Sequence, residues 1–293
     1  KAMITMIIGA MTNVVLDYIF IYPLGMGISG AAIATVISMI VCSVYVLSHF
    51  FRKDSIVRFH RSAFRLSLPV ISGITAIGVA PFAMHLTGSL VNIIMNRSFV
   101  SYGETADATD LAIGAFGIIN GYAMLFFMII IGVAQGMQPI VGFNYGAKNP
   151  GRVKSVYRYS CGVNLLVSFL GFALAMLMPR TIVSLFTNSE QMIELSASAL
   201  RTALIGLSLV GFQVTTTQFF QSIGFSHKAI FLSLTRQIIF LIPCLLIIPR
   251  FMGLDGVWWS LPISDLASVV LSFVLITIQM KHFNQSKKTT FAE

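Results

Sequence analysis

Apolar residues in this chain gather into long runs, Ala2 to Tyr22, Gly30 to Phe51, Leu66 to Asn96, Leu111 to Gly146, Tyr159 to Pro179, Thr202 to Gly224, Ala229 to Pro249 and Gly256 to Met280, separated by short polar segments. Each run reaches about 20 residues or more, the length that crosses about 30 Å of hydrocarbon at 1.5 Å per residue. The pattern predicts an all-α, polytopic transmembrane helical bundle with eight spans. Two of the runs, Leu66 to Asn96 and Leu111 to Gly146, exceed what a bilayer requires, so either they tilt and project beyond it or one of them is two helices.

Composition agrees with a membrane protein. Of 293 residues, 56% are hydrophobic and 10% charged, against roughly 25% charged in a soluble domain, which excludes a water-soluble globule. The formal net charge is +9, but the cations sit in short segments between apolar runs and read as topology signals, not as a nucleic-acid surface. Taken by alternate sides, 15 of the 19 Lys and Arg fall on one side, in Lys1, Arg52 to Arg65, Lys148 to Arg158, Lys228, Arg236 and the tail. The other side holds Arg97, Arg180, Arg201 and Arg250 among acidic residues. Splitting either long run would destroy this asymmetry, and the positive-inside rule makes the basic side and both chain ends cytoplasmic. Cys42, Cys161 and Cys244 lie inside apolar runs without paired spacing and suggest neither a disulfide framework nor a zinc site. The chain begins Lys1-Ala2-Met3 directly in an apolar run and reads as the later part of a longer polypeptide.

Laid on itself at an offset of 226, the chain repeats: Ile21, Pro23, Met26, Gly27, Gly30, Ile37 and Ser38 coincide with Ile247, Pro249, Met252, Gly253, Gly256, Ile263 and Ser264. The first helix hairpin thus resembles the last. An offset of an even number of spans keeps the direction of travel, as in a parallel repeat about the membrane normal. On this basis residues 1–50 are the last two helices of an N-terminal lobe, 51–65 a cytoplasmic interlobe linker suited to lipid headgroups, 66–283 a six-helix C-terminal lobe and 284–293 a cytoplasmic tail, with four helices upstream of the first hairpin.

Charges inside spans are costly, so Asp17, Asp265 and Arg236 are the first candidates for function. Asn13 precedes Asp17 by four residues, on the same helix face and one turn away, where it can hydrogen-bond the carboxyl. Such a carboxyl can exchange a proton or hold a sodium ion through oxygen ligands. Asp265 and Arg236 are expected some ångströms apart in depth, as helix-to-helix glue or as gating groups. His85, a lone histidine in the third run, is either a proton-coupling residue or a packed hydrogen-bonding one. Asn92, Gln213 and other amides in spans line a water-accessible cavity or join helices, and methionines such as Met124 form an adaptable surface for organic cations. Prolines 81, 139, 243 and 262 free backbone carbonyls within spans. No phosphate loop, paired histidines at metal spacing or nucleophile elbow is present, so no enzyme and no direct ATP coupling is expected.

Asn13-Val-Val-Leu-Asp17 followed by the stretch from Gly27 to Thr35 resembles the fifth and sixth helices of the multidrug and toxic compound extrusion (MATE) family. So do the segment from Gly132 to Ala147, Phe219 to Gly224, Arg236-Gln237 and Pro262-Ile-Ser-Asp265. The resemblance implies a twelve-helix fold of two six-helix lobes, of which this chain holds helices five to twelve. It also implies export of amphipathic, often cationic compounds in exchange for protons or sodium ions. Asn13, Asp17 and Thr35 match the part of the family's first-lobe ion-coupling network that the fifth and sixth helices supply. Some relatives carry an acidic residue in the seventh helix; here Gly73 to Ala80 has no carboxylate, which shifts weight to Asp17.

The expectation is therefore a secondary antiporter of the inner (plasma) membrane working by alternating access. Asp17, Asn13 and Thr35 couple the ion, and Asp265, Arg236, Gln213, Asn92, His85 and Met124 are cavity or gating residues. No cofactor is expected, and no metal beyond a sodium ion at Asp17. The partners are a drug or organic cation and the lipid bilayer, not nucleic acid, and the protein is expected to be monomeric. The alternative is an exporter or flippase of a lipid-linked saccharide or endogenous metabolite, which needs a more cationic central cavity.

Overall fold

The computed structural model describes residues 2–51, 67–103 and 105–289. These are helical almost throughout, with no strand among them. The helices are α1 (Ala2–Ile21), α2 (Gly27–Phe50), α3 (Leu68–Tyr102), α4 (Ala106–Gly146), α5 (Pro150–Leu177), α6 (Pro179–Ser184), α7 (Glu190–Ala203), α8 (Leu207–Ser222), α9 (Ser226–Leu234), α10 (Ile242–Ile247) and α11 (Pro249–Thr289), with a π-helical segment, Thr235–Leu241, between α9 and α10. Six stretches are long and apolar enough to cross a membrane: Ile4–Ile21, Gly27–Ser48, Ala106–Gly146, Pro150–Leu177, His227–Ile247 and Pro249–Lys281. Helices α7 and α8, bent by 49° at their junction, make a seventh if they form one span.

Among the described residues the count is thus six or seven, against eight expected, and the differences have local causes. The run Thr202 to Gly224 is not a single helix: the chain breaks at Leu204–Gly206, between the amphipathic, charge-bearing α7 and the apolar α8. The run Leu66 to Asn96 falls on α3, continuous over 35 residues. The run Leu111 to Gly146 is one unbroken helix through Pro139. The interlobe segment expected at 51–65 lies, apart from Phe51, outside the described residues.

The chain divides into two compact units, residues 1–75 and 76–293. In the first, α1 packs along α2. Contact is close because each helix places a glycine in the seam: a Cβ on Gly9 of α1 would overlap Cys42 Sγ, and one on Gly30 of α2 would come within 2.9 Å of Phe20 Cβ. The turn between the helices uses left-handed glycines at 25 and 27 (φ 61° and 54°), a conformation that side chains with a Cβ resist.

The second unit has two apolar clusters. One joins α3, α4, α7, α8 and α11 around Phe99, Ile119, Leu200, Leu207 and Trp258. The other joins α4, α5, α8, α9 and α11 around Val141, Tyr157, Phe219, Phe220 and Leu232. They occupy opposite ends of α4, and the buried polar residues Asn164, Ser168 and Thr215 belong to neither. Helix starts follow ordinary capping: Thr105 Oγ1 accepts from the Ala108 amide at 3.2 Å, and Asn149 Oδ1 accepts from that of Arg152 at 3.3 Å, with Pro150 in the first turn.

Candidate functional site

Asp17, Asn13 and Thr35 come together across the α1–α2 seam, though not by the expected bond. Asn13 Nδ2 donates to Thr35 Oγ1 at 3.4 Å, and Thr35 Oγ1 donates to the Ala31 carbonyl at 2.9 Å. Oδ1 of Asp17 is buried and makes no hydrogen bond among the described residues. Asn13 and Asp17 do share a helix face, but the amide turns across to α2 rather than along its own helix. In apolar surroundings a carboxylate oxygen without a donor is costly, and binding a proton or a small cation removes that cost. Side-chain oxygens of Asn13 and Thr35 and the Ala31 carbonyl are of the kind that ligates sodium.

The second site lies in the other unit. Arg236 is near the middle of the span His227–Ile247, and Asp265 near the middle of Pro249–Lys281. Nε of Arg236 donates to Asp265 Oδ1 at 2.8 Å, with the side chains 26% and 10% exposed. The offset expected from the sequence is therefore closed, and Arg236 falls within a candidate span. Two features bring the pair together. The π-helical segment Thr235–Leu241 carries Arg236; its widened pairing appears in the bond from the Ile242 amide to the Gln237 carbonyl, just before Pro243, which lacks an amide hydrogen. In α11 a break at Gly253 (φ 59°) shifts the helix that presents Asp265.

Asp265 also abuts Gly206, the residue before α8 at the bend. A Cβ at Gly206 would lie 2.5 Å from Asp265 Oδ2, 2.6 Å from its Cβ and 2.9 Å from its Cγ. The carboxylate thus stands at the N-terminal end of α8, where the helix dipole favours negative charge. On the other side of Arg236 is Phe127, whose ring centroid is 5.9 Å from Cζ.

A third group was missed by sequence reasoning. Asn164, fully buried near the middle of α5, donates to the Ile130 carbonyl at 3.1 Å and to Thr215 Oγ1 at 2.8 Å, joining α4, α5 and α8. Ser168 Oγ accepts from the Gly211 amide at 2.9 Å, a close approach because a Cβ on Gly211 would overlap the Asn164 carbonyl and Ser168 Oγ. The available signal was a lone amide in the run Tyr159 to Pro179.

The remaining candidates separate. Gln213 is buried, its Oε1 without a partner among the described residues. Asn92, His85 and Met124 are exposed on α3 and α4 and form no hydrogen-bonded cluster among the described residues. Lys228 is held at the α8–α9 turn by Gln279 Oε1 at 3.0 Å and by the rings of Phe220 and Phe225 at 5.4 and 4.8 Å.

Several apolar spans, a repeated hairpin and charged groups held inside the helices define a multi-pass membrane protein. The MatE family model matches residues 82–247, more than half of the chain, and the protein belongs to that family. Among similar proteins is the multidrug export protein MepA of Staphylococcus aureus, 26% identical over 281 residues, covering 94% of this chain and 60% of that protein. Among solved structures are a multidrug resistance MATE family transporter of the MOP superfamily in an outward-facing conformation (27% identity, TM-score 0.82, 97% of this chain and 63% of that one) and a MOP superfamily transporter from Pyrococcus furiosus (28%, 0.82, 97% and 63%), for which reverse polarity of the binding pocket suggests a different function. The chain spans about 60% of the length of the curated relatives it matches.

Proposed function

We propose that the intact protein exports amphipathic or cationic organic compounds across the plasma membrane in exchange for an inward proton or sodium ion, by alternating access. The observation that carries this reading is Asp17, whose buried Oδ1 lacks a donor inside a candidate span, beside the Asn13–Thr35 contact. A cation bound there from one side neutralises the carboxylate and changes which packing of α1 on α2 is favoured; release to the other side restores it. Coupling follows when the two packings differ in affinity for the exported compound.

The same reading makes residues 1–50 the closing pair of an N-terminal lobe and 66–283 the C-terminal lobe, joined by 51–65 with the tail at 284–293. It also makes both ends cytoplasmic, and the transporter a monomer. The repeat of the hairpin at Gly27 and Gly253 and the concentration of loop cations on one side support it.

The test is ethidium efflux from cells or vesicles carrying the intact protein and its Asp17→Asn variant, under separate proton and sodium gradients. Gradient-driven efflux by the parent, lost in the inserted variant, is the expected result, and the gradient that drives it identifies the ion. Unaltered efflux by the variant makes Asp17 structural. A parent inert under both gradients points to a saccharide or metabolite exporter.

A further inference from the structure

Arg236 does not spend its whole hydrogen-bonding capacity on Asp265. Only Nε is engaged, and Nη1 and Nη2 make no hydrogen bond among the described residues. The side chain is 26% exposed at the middle of a span. A guanidinium at that depth does not face lipid tails; intramembrane charges face the bundle interior or a wet cavity. The open side of Arg236 is therefore a water-accessible surface, in contrast to the exposed apolar faces elsewhere on the spans.

What shares that surface is set by α4. Phe127 lies beneath the guanidinium. Met124, Phe127, Met128 and Ile131 follow the three- and four-residue spacing of one helix face, and Met124 and Met128 are 55% and 61% exposed. Thioethers next to an aromatic ring make a surface that adapts to apolar bodies of different shape.

We propose that Arg236 and the Met124–Phe127–Met128 stripe form a subsite for amphipathic compounds bearing a carboxylate. The acid takes the free Nη edge of the guanidinium, and the apolar body lies along α4. The planar guanidinium presents five donors, so one edge can hold Asp265 while another holds a ligand oxygen. Asp265 fixes the orientation of Arg236 in advance, which lowers the ordering cost of binding. The subsite rests on the export reading and gives it a substrate class: compounds carrying an acid as well as, or in place of, a cation.

The probes are rhodamine B, with a free carboxylate, and its methyl ester, which shares the chromophore without the acid. Binding to the purified intact protein is read by fluorescence anisotropy. The expected result is an affinity about tenfold higher for the acid, the scale of a charge-assisted hydrogen bond. In the double variant Arg236→Gln/Asp265→Asn, which leaves no buried charge unpaired, the preference disappears. At the exposed position, Met124→Glu weakens acid binding and strengthens ester binding, and this variant carries the test if the double variant does not fold. A wild-type ratio near one, or a ratio that neither substitution changes, overturns the proposal. Ethidium has no carboxylate, so its efflux reports on export separately. Efflux with an acid-to-ester ratio of one removes the subsite alone, whereas a clear acid preference without efflux of any compound removes the export reading alone.

Discussion

Gly27 and Gly253, 226 positions apart, both hold a positive φ, 54° and 59°, which residues with a Cβ rarely adopt. The glycines three residues further on behave alike as well: a Cβ on Gly30 would come within 2.9 Å of Phe20 Cβ, and one on Gly256 within 2.7 Å of Pro249 Cα. The internal repeat is thus a repeat of backbone geometry, in which one glycine turns the chain and the next lets the following helix press on the end of the preceding one.

Alanine at Gly27 or Gly253 meets open space, so its only penalty is the strain of holding a Cβ at positive φ, which costs about 1–2 kcal/mol. Alanine at Gly256 meets main-chain atoms of Ile248 and Pro249 under 3.0 Å, so the helices must part and the cost is higher. Thermal unfolding of the purified protein in detergent should rank Gly256→Ala below Gly253→Ala; the reverse order would show that the close approach is relaxed at little cost.

Removing either member of the Arg236–Asp265 pair leaves a charge inside a span, a loss of about 3–5 kcal/mol. Replacing both with neutral residues of similar size costs much less. A double-mutant cycle with Arg236→Met, Asp265→Leu and the combined variant, followed by denaturant unfolding, should show strong positive coupling. Additive losses would mean the two groups are solvated independently.

Gly206 is the point where α7 turns into α8 against Asp265. Gly206→Ala places a methyl group where the carboxylate now lies, and forced repacking of this kind costs about 1–3 kcal/mol. Unfolding of Gly206→Ala should show that loss, and shortening the neighbour, as Asp265→Ala with Arg236→Ala, should recover part of it. A variant as stable as the parent would mean that the bend moves freely.

Polar groups of similar appearance should differ according to burial. Asn164→Leu strips the Ile130 carbonyl and Thr215 of their donor in a dry seam, and interhelical bonds of this kind are worth about 0.6–1.7 kcal/mol. The Arg180–Glu194 pair, bonded at 2.8 Å but 65% and 63% exposed, falls in the class of surface pairs worth about 0–1 kcal/mol. Equal losses from Asn164→Leu and Arg180→Ala in the same unfolding assay would contradict this assignment.

The amino-acid sequence was enough to establish that the chain is a membrane-spanning helical bundle, where most spans run, and that the first hairpin resembles the last. Run length against bilayer thickness and glycine spacing act locally along the chain, so they can be read without knowing what packs against what. It also marked Asp17, Asp265 and Arg236, because a charge in an apolar run stands out wherever it points. Only the tertiary structure decided the partners. Asn13 turned to Thr35 instead of Asp17, since the choice between two acceptors depends on how α2 lies on α1. Arg236 met Asp265 at one depth because a π-helical segment and a break at Gly253 shift two helices in ways that residue counting at a uniform rise does not anticipate. Gly206 and Asn164 gained their roles from neighbours far along the chain. Hydrophobic periodicity reports the solvent a segment requires, whereas contact between helices depends on bends set by backbone hydrogen bonds made or lost, and those appear only when the helices are packed together.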